Sequence, residues 1–355
     1  MASFFDLLRD IIHPGYCRRC GGCVAFCQAN NYGALETSPE GWPQFRNAER
    51  CLECGVCYQI CPATGQLTAE TRRRVAWSAP IGRVMDSGVF RSTASSAATH
   101  PDGKVGLGLI EHLFATDRID GAVVLPTDHV FNKASQLART PDQLRALDDK
   151  GLTTSQVRAA ASSLEVLGSV RKTGLRRVAF MGTPCQVETV RKMEILAVPP
   201  AERLYCTIGC FCDGDFLLGP AQQDRLEKLG FFRWNDVRHI TLRDHLEFWL
   251  AEGKTRDIPM EDLDFMRRYA CRLCTDYSAQ FADLAVGGTG APHGWSTVIA
   301  RTPLGQAILS EARQTALEPF NGTSASQTRH NALYTVCRLA ERKQHRALHS
   351  SRAAM

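Results

Sequence analysis

Eight of the chain's cysteines lie in two copies of one spacing, and this repeat constrains the fold more than any other feature. Each copy reads C-x-x-C-x-x-C-x-x-x-C, over residues 17–27 and again over residues 51–61. In two-cluster proteins with this spacing, the first three cysteines of a copy hold one [4Fe–4S] cubane and the fourth ligates the other. The repeat therefore predicts site I at Cys17, Cys20, Cys23 and Cys61, and site II at Cys51, Cys54, Cys57 and Cys27.

Small residues stand where the backbone must approach the sulfurs, at Gly21, Gly22 and Gly55. Structural zinc is the alternative to iron, but zinc sites are usually built from two separated pairs rather than from a triplet with a distant fourth ligand. A disulfide scaffold is excluded, because it is typical of small secreted chains that lack a core. This chain has 355 residues, 44% of them hydrophobic, and residues 1–14 carry no signal-peptide pattern. We expect reduced thiols and a cytoplasmic protein, free or at the periphery of a membrane complex.

Charge and hydropathy exclude two further classes. The net charge of +5 comes from scattered basic residues beside no aromatic-rich RNA-binding pattern, so no nucleic-acid partner is expected. No run approaches the roughly 18 consecutive apolar residues that a transmembrane helix needs. Residues 3–12 carry a helical apolar stripe that we expect to pack on the cysteine-rich unit. An in-plane membrane anchor is the alternative for this stripe.

The rest of the chain alternates between strand and helix patterns. Strands are predicted at residues 121–125, 177–181, 203–209, 284–287 and 296–301, and helices at 106–115, 153–167, 219–229 and 331–346. Such alternation is typical of an α/β sheet domain. The predicted division is a two-cluster unit at 1–70, a linker at 71–91, the sheet domain at 92–315, and a C-terminal helix with a basic tail at 316–355.

Seven more cysteines fall in the second domain and the tail. Cys185 follows a predicted strand through Gly-Thr-Pro and lies in the first turn of a helix, whose positive end would lower the pKa of the thiol or stabilise a thiolate-ligated cluster. A second group is Cys206-Thr-Ile-Gly-Cys-Phe-Cys212. A third is Cys271-Arg-Leu-Cys274, which by itself is a generic C-x-x-C.

Three blocks resemble the beta subunit of the coenzyme F420-reducing hydrogenases and formate dehydrogenases, and the F420H2 dehydrogenase subunit that also has a leading two-cluster ferredoxin unit. They are Gly182-Thr-Pro-Cys-Gln186, Ile208-Gly-x-Phe-Cys212, and residues 271–301 with Ala282-Asp-Leu-Ala-Val-Gly-Gly-Thr-Gly290. The resemblance implies an α+β protein: a bacterial-type two-[4Fe–4S] ferredoxin domain followed by an α/β flavin and iron–sulfur domain. It also implies FAD and a third [4Fe–4S] cluster at site III, which comprises Cys185, Cys212, Cys271 and Cys274.

Three cysteines then remain, Cys206, Cys210 and Cys337, which we interpret as ordinary thiols. Either of the first two is an alternative to Cys212 as a ligand.

The flavin residues are predicted in two places. Where the family opens a helix with a glycine pair, this chain has Asp102 and Gly103 but Lys104 in place of the second glycine. A lysine there could meet a phosphate as a point charge. Gly287, Gly288 and Gly290 could cradle a phosphate or cover a flavin edge, with a tight turn as the alternative. Trp295 could stack on the flavin, although such a residue is more often core.

The resemblance implies hydride exchange between FAD and a soluble carrier, coenzyme F420 in the family. Three [4Fe–4S] clusters would then carry single electrons to or from a partner, in a complex of hydrogenase, dehydrogenase or heterodisulfide-reductase type. The alternatives are a relay subunit without F420 or FAD, and a ferredoxin-dependent reductase of an organic substrate. No catalytic side chain is assigned. Asp276 and His293 are candidates for polar groups near the third cluster or the flavin.

Overall fold

A computed structural model of the chain describes residues 2–93, 104–124, 135–148, 162–242, 245–251, 253–321 and 325–352. All fifteen cysteines lie in these ranges, and none forms a disulfide.

The N-terminal part folds as a small cysteine-rich unit, residues 2–67. Its elements are α1 (Phe4–Leu7), a π-helical turn (Leu8–Ile12), α2 (Gly22–Ala29), the antiparallel pair β1 (Leu35–Thr37) and β2 (Pro43–Phe45), and α3 (Val56–Gln59). Ser3 caps α1 in a capping box with Asp6. Phe4, Leu7 and Ile11 are buried against the cysteines, which confirms the predicted packing of residues 3–12 on this unit.

A mixed sheet forms the centre of the second domain. Its strands are β3 (Asp86–Ser92), β4 (Gly121–Val124), β5 (Gln136–Ala138), β6 (Val178–Gly182), β7 (Leu204–Cys210), β11 (Leu284–Gly287), β12 (Ser296–Ala300) and β13 (Leu317–Pro319). Their order within the described residues is β13-β3-β12-β11-β7-β6-β4-β5. The strands β4, β6, β7 and β11 are parallel, while β5 and β12 run antiparallel to their neighbours. Because β3 is antiparallel to β12, it points the same way as the parallel set.

Helices cover both faces of this sheet. One layer contains α5 (Val105–Ala115), α6 (Pro141–Asp148) and α11 (Pro303–Thr315). The other contains α7 (Ser163–Ser169), α8 (Pro184–Ile195) and α12 (Ala325–Arg352). The cysteine-rich unit packs on this second layer, through α2 against α7 and α8.

A smaller subdomain is inserted between β7 and β11. It contains α9 (Pro220–Gly230), the antiparallel strands β8 (Val237–Leu242), β9 (His245–Leu250) and β10 (Thr255–Pro259), and α10 (Tyr269–Arg272). Alternate strand residues, including Ile240, Leu246, Phe248 and Ile258, form its separate apolar core with Leu226 of α9.

Most predicted elements are confirmed to within a few residues. The part of the predicted helix 153–167 that precedes residue 162 lies outside the described residues. The predicted linker 71–91 is wrong at both ends, because α4 (Thr68–Arg74) runs into it and β3 begins at Asp86. The predicted C-terminal helix is confirmed but is longer than expected, since α12 runs from Ala325 to Arg352 and buries Ala332, Val336 and Ala340. Before it, β13 pairs with β3.

None of the helices in the described ranges combines the length and apolar character needed to cross a membrane.

Candidate metal centres

The two copies of the cysteine repeat each begin a helix at a glycine with a left-handed backbone. Gly21 (φ +83°) precedes α2, and Gly55 (φ +74°) precedes α3. A residue with a Cβ is strained in this conformation, which explains a glycine at both positions. The fourth cysteine of each copy lies at the other end of the helix, Cys27 within α2 and Cys61 just beyond α3.

The fourth cysteine of each copy lies beside the first three cysteines of the other copy. Cys61 lines one cavity together with Cys17, Cys20 and Cys23. A second cavity is lined by Cys27 and by the three leading cysteines of the second copy, Cys51, Cys54 and Cys57. The structure thus brings together the four cysteines predicted for site I and the four predicted for site II. That they hold iron stays a prediction.

The distances between the cysteine sulfurs distinguish zinc from a [4Fe–4S] cluster as the metal group. Among the described residues, no three cysteine sulfurs lie within 4.8 Å of one another. Four thiolates around a single zinc, with Zn–S bonds of about 2.3 Å, would lie about 3.8 Å apart. In a cubane each thiolate binds a different iron, so a wider arrangement is needed. The geometry of these sites fits a [4Fe–4S] cluster better than zinc.

The buried thiols need a positively charged partner to ionise. Burial raises the pKa of Cys17 and of Cys61 to about 11, and that of Cys57 to about 12. Backbone amides oppose this effect: the N–H of Arg19 donates to Cys17 Sγ at 3.4 Å. Iron would supply the missing charge, and amide hydrogen bonds to sulfur are one way in which proteins tune a cluster.

Site III lies at the carboxyl edge of the parallel strands. Thr183 follows β6 and caps α8 in a capping box with Gln186, which fixes Cys185 in the first turn. Cys212 lies two residues beyond β7. Cys271 and Cys274 come from α10 and the turn after it, and the backbone N–H of Asp215 donates to Cys271 Sγ at 3.3 Å. Ligands of α/β proteins bind at this edge of the sheet.

A lysine of the C-terminal helix joins the parts of site III. Lys343 Nζ donates to the carbonyl oxygens of Cys212 at 2.7 Å and Asp276 at 2.8 Å. The residue is only 1% exposed, and its charge interacts with the sulfurs of Cys212, Cys271 and Cys274. The fourth sulfur, of Cys185, interacts electrostatically with that of Cys274. The four cysteines predicted for site III are therefore close enough to interact electrostatically, three of them with Lys343 and the fourth with Cys274.

The pKa of Cys185 is not lowered overall, contrary to one of the two effects expected of the helix start. Burial raises the pKa of this thiol well above its usual value, and the neighbouring Cys20 sulfur adds to the rise. A contact with Thr183 Oγ1 at 3.3 Å and the charge of Arg18 act in the opposite direction but do not prevail. Stabilisation of a thiolate-ligated cluster, the other role proposed for the helix start, is not affected.

The three remaining cysteines lie elsewhere. Cys206 and Cys210 point from β7 into the apolar layer formed with α5 and α11, on the face of the sheet opposite α8 and α12. Cys337 lies on α12 and packs against the other layer. This placement favours Cys212, beyond the end of β7, as the ligand from this segment.

Helix α8 separates site III from site I by a single side chain. Thr189 Oγ1 lies 3.5 Å from Cys20 Sγ and donates to the Cys185 carbonyl at 2.8 Å. Gly22, at the start of α2, leaves no room for a Cβ beside the Thr189 methyl group. The cysteine-rich unit is therefore docked on α8 so that a ligand of one predicted cluster contacts the same residue as a ligand of another.

The glycine-rich turn between β11 and β12 is packed against protein. A Cβ on Gly287 would lie 2.5 Å from the ring of Phe211, and one on Gly290 (φ +74°) would lie 2.7 Å from the backbone of Ala332 in α12. Gly288 is buried between them. Thr289 contacts the Tyr277 hydroxyl at 2.7 Å. These contacts favour the tight turn, rather than the phosphate cradle, as the reason for the glycines.

The other predicted flavin residues are dispersed. Lys104 is buried and starts α5 with a left-handed backbone, while Asp102 and Gly103 lie outside the described residues. Trp295 is half-buried, with Arg91 over its ring at 4.7 Å and Phe320 edge-on at 5.0 Å. Of this set, Lys104 at a helix start retains the chemistry that a flavin phosphate requires.

The two polar candidates lie in different places. Asp276 is buried beside site III, where burial raises the pKa of its carboxyl group to about 6 and the backbone N–H of Gln280 donates to it. His293 lies in the glycine-rich turn and packs on Trp249 of the small sheet, with ring centroids 5.0 Å apart.

Several charged residues at these sites were not predicted, namely Arg18, Glu188, Lys192, Arg268 and Lys343. For two of them, proximity to a cysteine in the sequence could have indicated a place at a site: Arg18 directly follows a site I cysteine, and Arg268 lies three residues before Cys271. Nothing in the sequence places Lys343 near a cysteine.

Two families of known sequences match the chain. Residues 175–321 match the family of the C-terminal part of the coenzyme F420 hydrogenase/dehydrogenase beta subunit. Residues 9–62 match the family described as "4Fe-4S dicluster domain". The first match covers α8, the insertion and all four site III cysteines, and the second covers sites I and II.

Individual relatives agree with these matches. The chain is 24% identical over 323 residues, 85% of its length, to the coenzyme F420-dependent sulfite reductase of Methanocaldococcus jannaschii, but spans only 46% of that enzyme. It is 25% identical to the F subunit of the F(420)H(2) dehydrogenase of Methanosarcina mazei, over 86% of this chain and 85% of the relative. A chain in the F420-reducing [NiFe] hydrogenase complex of Methanosarcina barkeri has the same fold, with a TM-score of 0.65 at 22% identity over 77% of this chain and 93% of that one.

Proposed function

We propose that this chain, which belongs to the family of coenzyme F420 hydrogenase/dehydrogenase beta subunits and has an N-terminal 4Fe-4S dicluster domain, is an oxidoreductase subunit that links a soluble hydride carrier to a partner enzyme. The carrier is coenzyme F420, which is in the names of the relatives above. When bound, FAD would exchange hydride with the carrier and [4Fe–4S] clusters would carry single electrons.

The observation that carries this proposal is the series formed by the three cysteine sites. Site II adjoins site I, since Cys23 and Cys57 line both cavities. Site I adjoins site III, since Thr189 contacts a cysteine of each. A continuous path of this kind is what electron transfer between a flavin and a distant partner requires. Isolated structural metal sites would have no need of it.

Site II is the end of the series nearest to solvent. Cys54 is exposed, and the neighbouring Leu52 side chain is 66% exposed. We therefore place the contact with the partner enzyme at site II, in a cytoplasmic complex of hydrogenase, dehydrogenase or heterodisulfide-reductase type.

A relay subunit without flavin is the second candidate. One observation favours it: Phe211 and Ala332 occupy the space beside the two glycines that could otherwise approach a flavin phosphate. Such a chain would keep three clusters and exchange electrons with two protein partners, and F420 would not bind.

Anaerobic purification followed by metal and flavin analysis tests both candidates. The proposed function predicts about twelve iron atoms and one FAD per chain, with bleaching of the flavin on addition of reduced F420. Iron without extractable flavin, and no reaction with reduced F420, would support the relay. About eight iron atoms, with no third cluster, would contradict both.

A further inference from the structure

Two buried ion pairs lie between site I and site III. Arg18 Nη1 lies 3.5 Å from Glu188 Oε2, with side-chain exposures of 16% and 9%. Arg268 Nη1 lies 2.5 Å from Asp215 Oδ2, with exposures of 7% and 20%. Removing one partner of a buried pair leaves an uncompensated charge, so such pairs are costly to break. Neither pair is used by the function proposed above.

The first arginine touches both sites electrostatically. Arg18 directly follows a ligand of site I, and its charge interacts with the sulfur of Cys61 in site I and with those of Cys185 and Cys274 in site III. Glu188 of α8 holds this guanidinium in place.

Glu188 is itself fixed by a second cation. Lys192 Nζ lies 3.0 Å from Glu188 Oε1 and donates to the Cys61 carbonyl at 3.1 Å. The Lys192 side chain has no solvent exposure. Arg18, Glu188 and Lys192 thus form one network that joins α8 to the cysteine-rich unit.

Arg268, which precedes Cys271 in the sequence, likewise interacts with both sites. Arg268 Nη2 donates to the Cys17 carbonyl at 3.3 Å, and its charge interacts with the sulfurs of Cys17 in site I and Cys271 in site III. Its partner Asp215 donates its backbone N–H to Cys271 Sγ. Each arginine therefore acts on one or more sulfurs of both sites.

A cluster gains one negative charge when it is reduced. A fixed cation nearby stabilises the reduced form and raises the reduction potential, and a fixed anion lowers it. The effect is larger in a buried site than at the surface, because solvent screens it less. A cation shared by two clusters raises both potentials together, so the difference between the two potentials changes little.

We propose that Arg18 and Arg268, each oriented by its carboxylate partner, set the reduction potentials of site I and site III jointly through their charges. The inference rests on the proposed function, because it requires clusters at both sites. It adds residues to the electron path that are neither ligands nor flavin contacts.

Anaerobic redox titration of the full chain, followed by EPR, tests this inference. The site III signal is identified as the one missing from Cys274→Ser. Arg18→Gln and Arg268→Gln should each lower the potentials of sites I and III, and Glu188→Gln should raise both. Arg18→Lys keeps the positive charge and should leave both potentials at their wild-type values. Arg73→Gln is the matched control, because Arg73 is 75% exposed on α4, and it should change nothing.

The opposite signs distinguish electrostatic tuning from damage to the fold, which would not raise potentials in one variant and lower them in another. Full iron content with potentials that stay unchanged in Arg18→Gln and Arg268→Gln, or that shift at one site only, would overturn the inference alone. A wild-type protein without a site III signal would overturn the proposed function as well. Iron content is measured for every variant, and Glu188→Gln and Arg268→Gln decide the question should Arg18→Gln fail to fold.

Discussion

Gly22 and Thr189 are in contact across the boundary between the cysteine-rich unit and the sheet domain, and a side chain on Gly22 would overlap the threonine methyl group. The same threonine places its hydroxyl next to Cys20 Sγ. The close approach of α2 to α8 therefore depends on the absence of a single Cβ.

Gly22→Ala should destabilise the docking of the two domains. Alanine is the better helix former by about 1 kcal/mol, but overpacking of a tight contact costs about 2 kcal/mol, so the net effect is a lower melting temperature. Thr189→Ser removes the methyl group and keeps the hydroxyl. The double variant Gly22→Ala/Thr189→Ser should recover most of the lost stability in thermal unfolding followed by circular dichroism. Equal melting temperatures for wild type and Gly22→Ala would contradict the contact.

Cys271→Ala should remove one cluster and leave two. Iron analysis should give a loss of about four atoms per chain from about twelve. Cys206→Ala is the matched control, because Cys206 is also buried but packs in the apolar layer on the other face of the sheet. A loss of iron in the Cys206 variant, or none in the Cys271 variant, would show that site III is assigned to the wrong cysteines.

Glu165→Gln should stabilise the protein at neutral pH. Burial raises the pKa of Glu165 above its usual value, although a hydrogen bond donated by Thr37 Oγ1 at 2.7 Å acts against this. The folded state thus binds its proton more tightly than the unfolded state, and stability falls as pH rises from the unfolded pKa through the folded one. The glutamine retains an acceptor for Thr37 and carries no charge.

Chemical unfolding of Glu165→Gln between pH 5 and 8 measures this effect. The gain over wild type should be present at pH 7 and should shrink as the pH approaches the folded pKa from above. Glu49→Gln, at an exposed position, should follow the wild type. A Glu165→Gln variant less stable than wild type at pH 7 would contradict the predicted sign.

Arg301→Lys should be costly although the charge is kept. The guanidinium is fully buried and donates to the carbonyls of Ile81, Arg83 and Ser278, and to the Ser278 hydroxyl, at 2.7–3.0 Å. A lysine cannot reach all of these acceptors, and each buried group left without a donor costs about 1–3 kcal/mol. The midpoint of denaturant unfolding should fall for Arg301→Lys. It should not fall for Arg329→Lys, whose side chain is 57% exposed.

The parts of the molecule that the sequence predicts well are those governed by local spacing. The grouping of the cysteines of sites I and II follows from the repeat, because three cysteines of each lie within seven residues. The buried strands β4, β6, β7 and β11 were recognisable as short apolar runs beside helical patterns. The sequence predicts Gly21 and Gly55 only as small residues beside the sulfurs, and the structure adds a second reason, a left-handed backbone before each helix.

The parts that escaped prediction depend on residues far apart in the chain. The strands of the small sheet bury alternate residues, but the sequence alternation is interrupted by Arg238, two residues before the buried Ile240, and by Trp249, which directly follows the buried Phe248. Gly287 and Gly290 have the composition of a phosphate loop, and only their neighbours Phe211 and Ala332 show that protein fills the space. The charges at site III come from Arg18, Arg268 and Lys343, which span most of the sequence.

The position of Lys343 implies an order of assembly for the proposed clusters. The cysteines of sites I and II have all been translated once residue 61 has left the ribosome, whereas site III lacks a closing wall until α12 has been translated and folded onto the sheet. We therefore expect iron to be loaded in two stages, an early one at the nascent N-terminus and a late one after α12 has docked. A premature stop codon before residue 343 should then leave site III without its cluster.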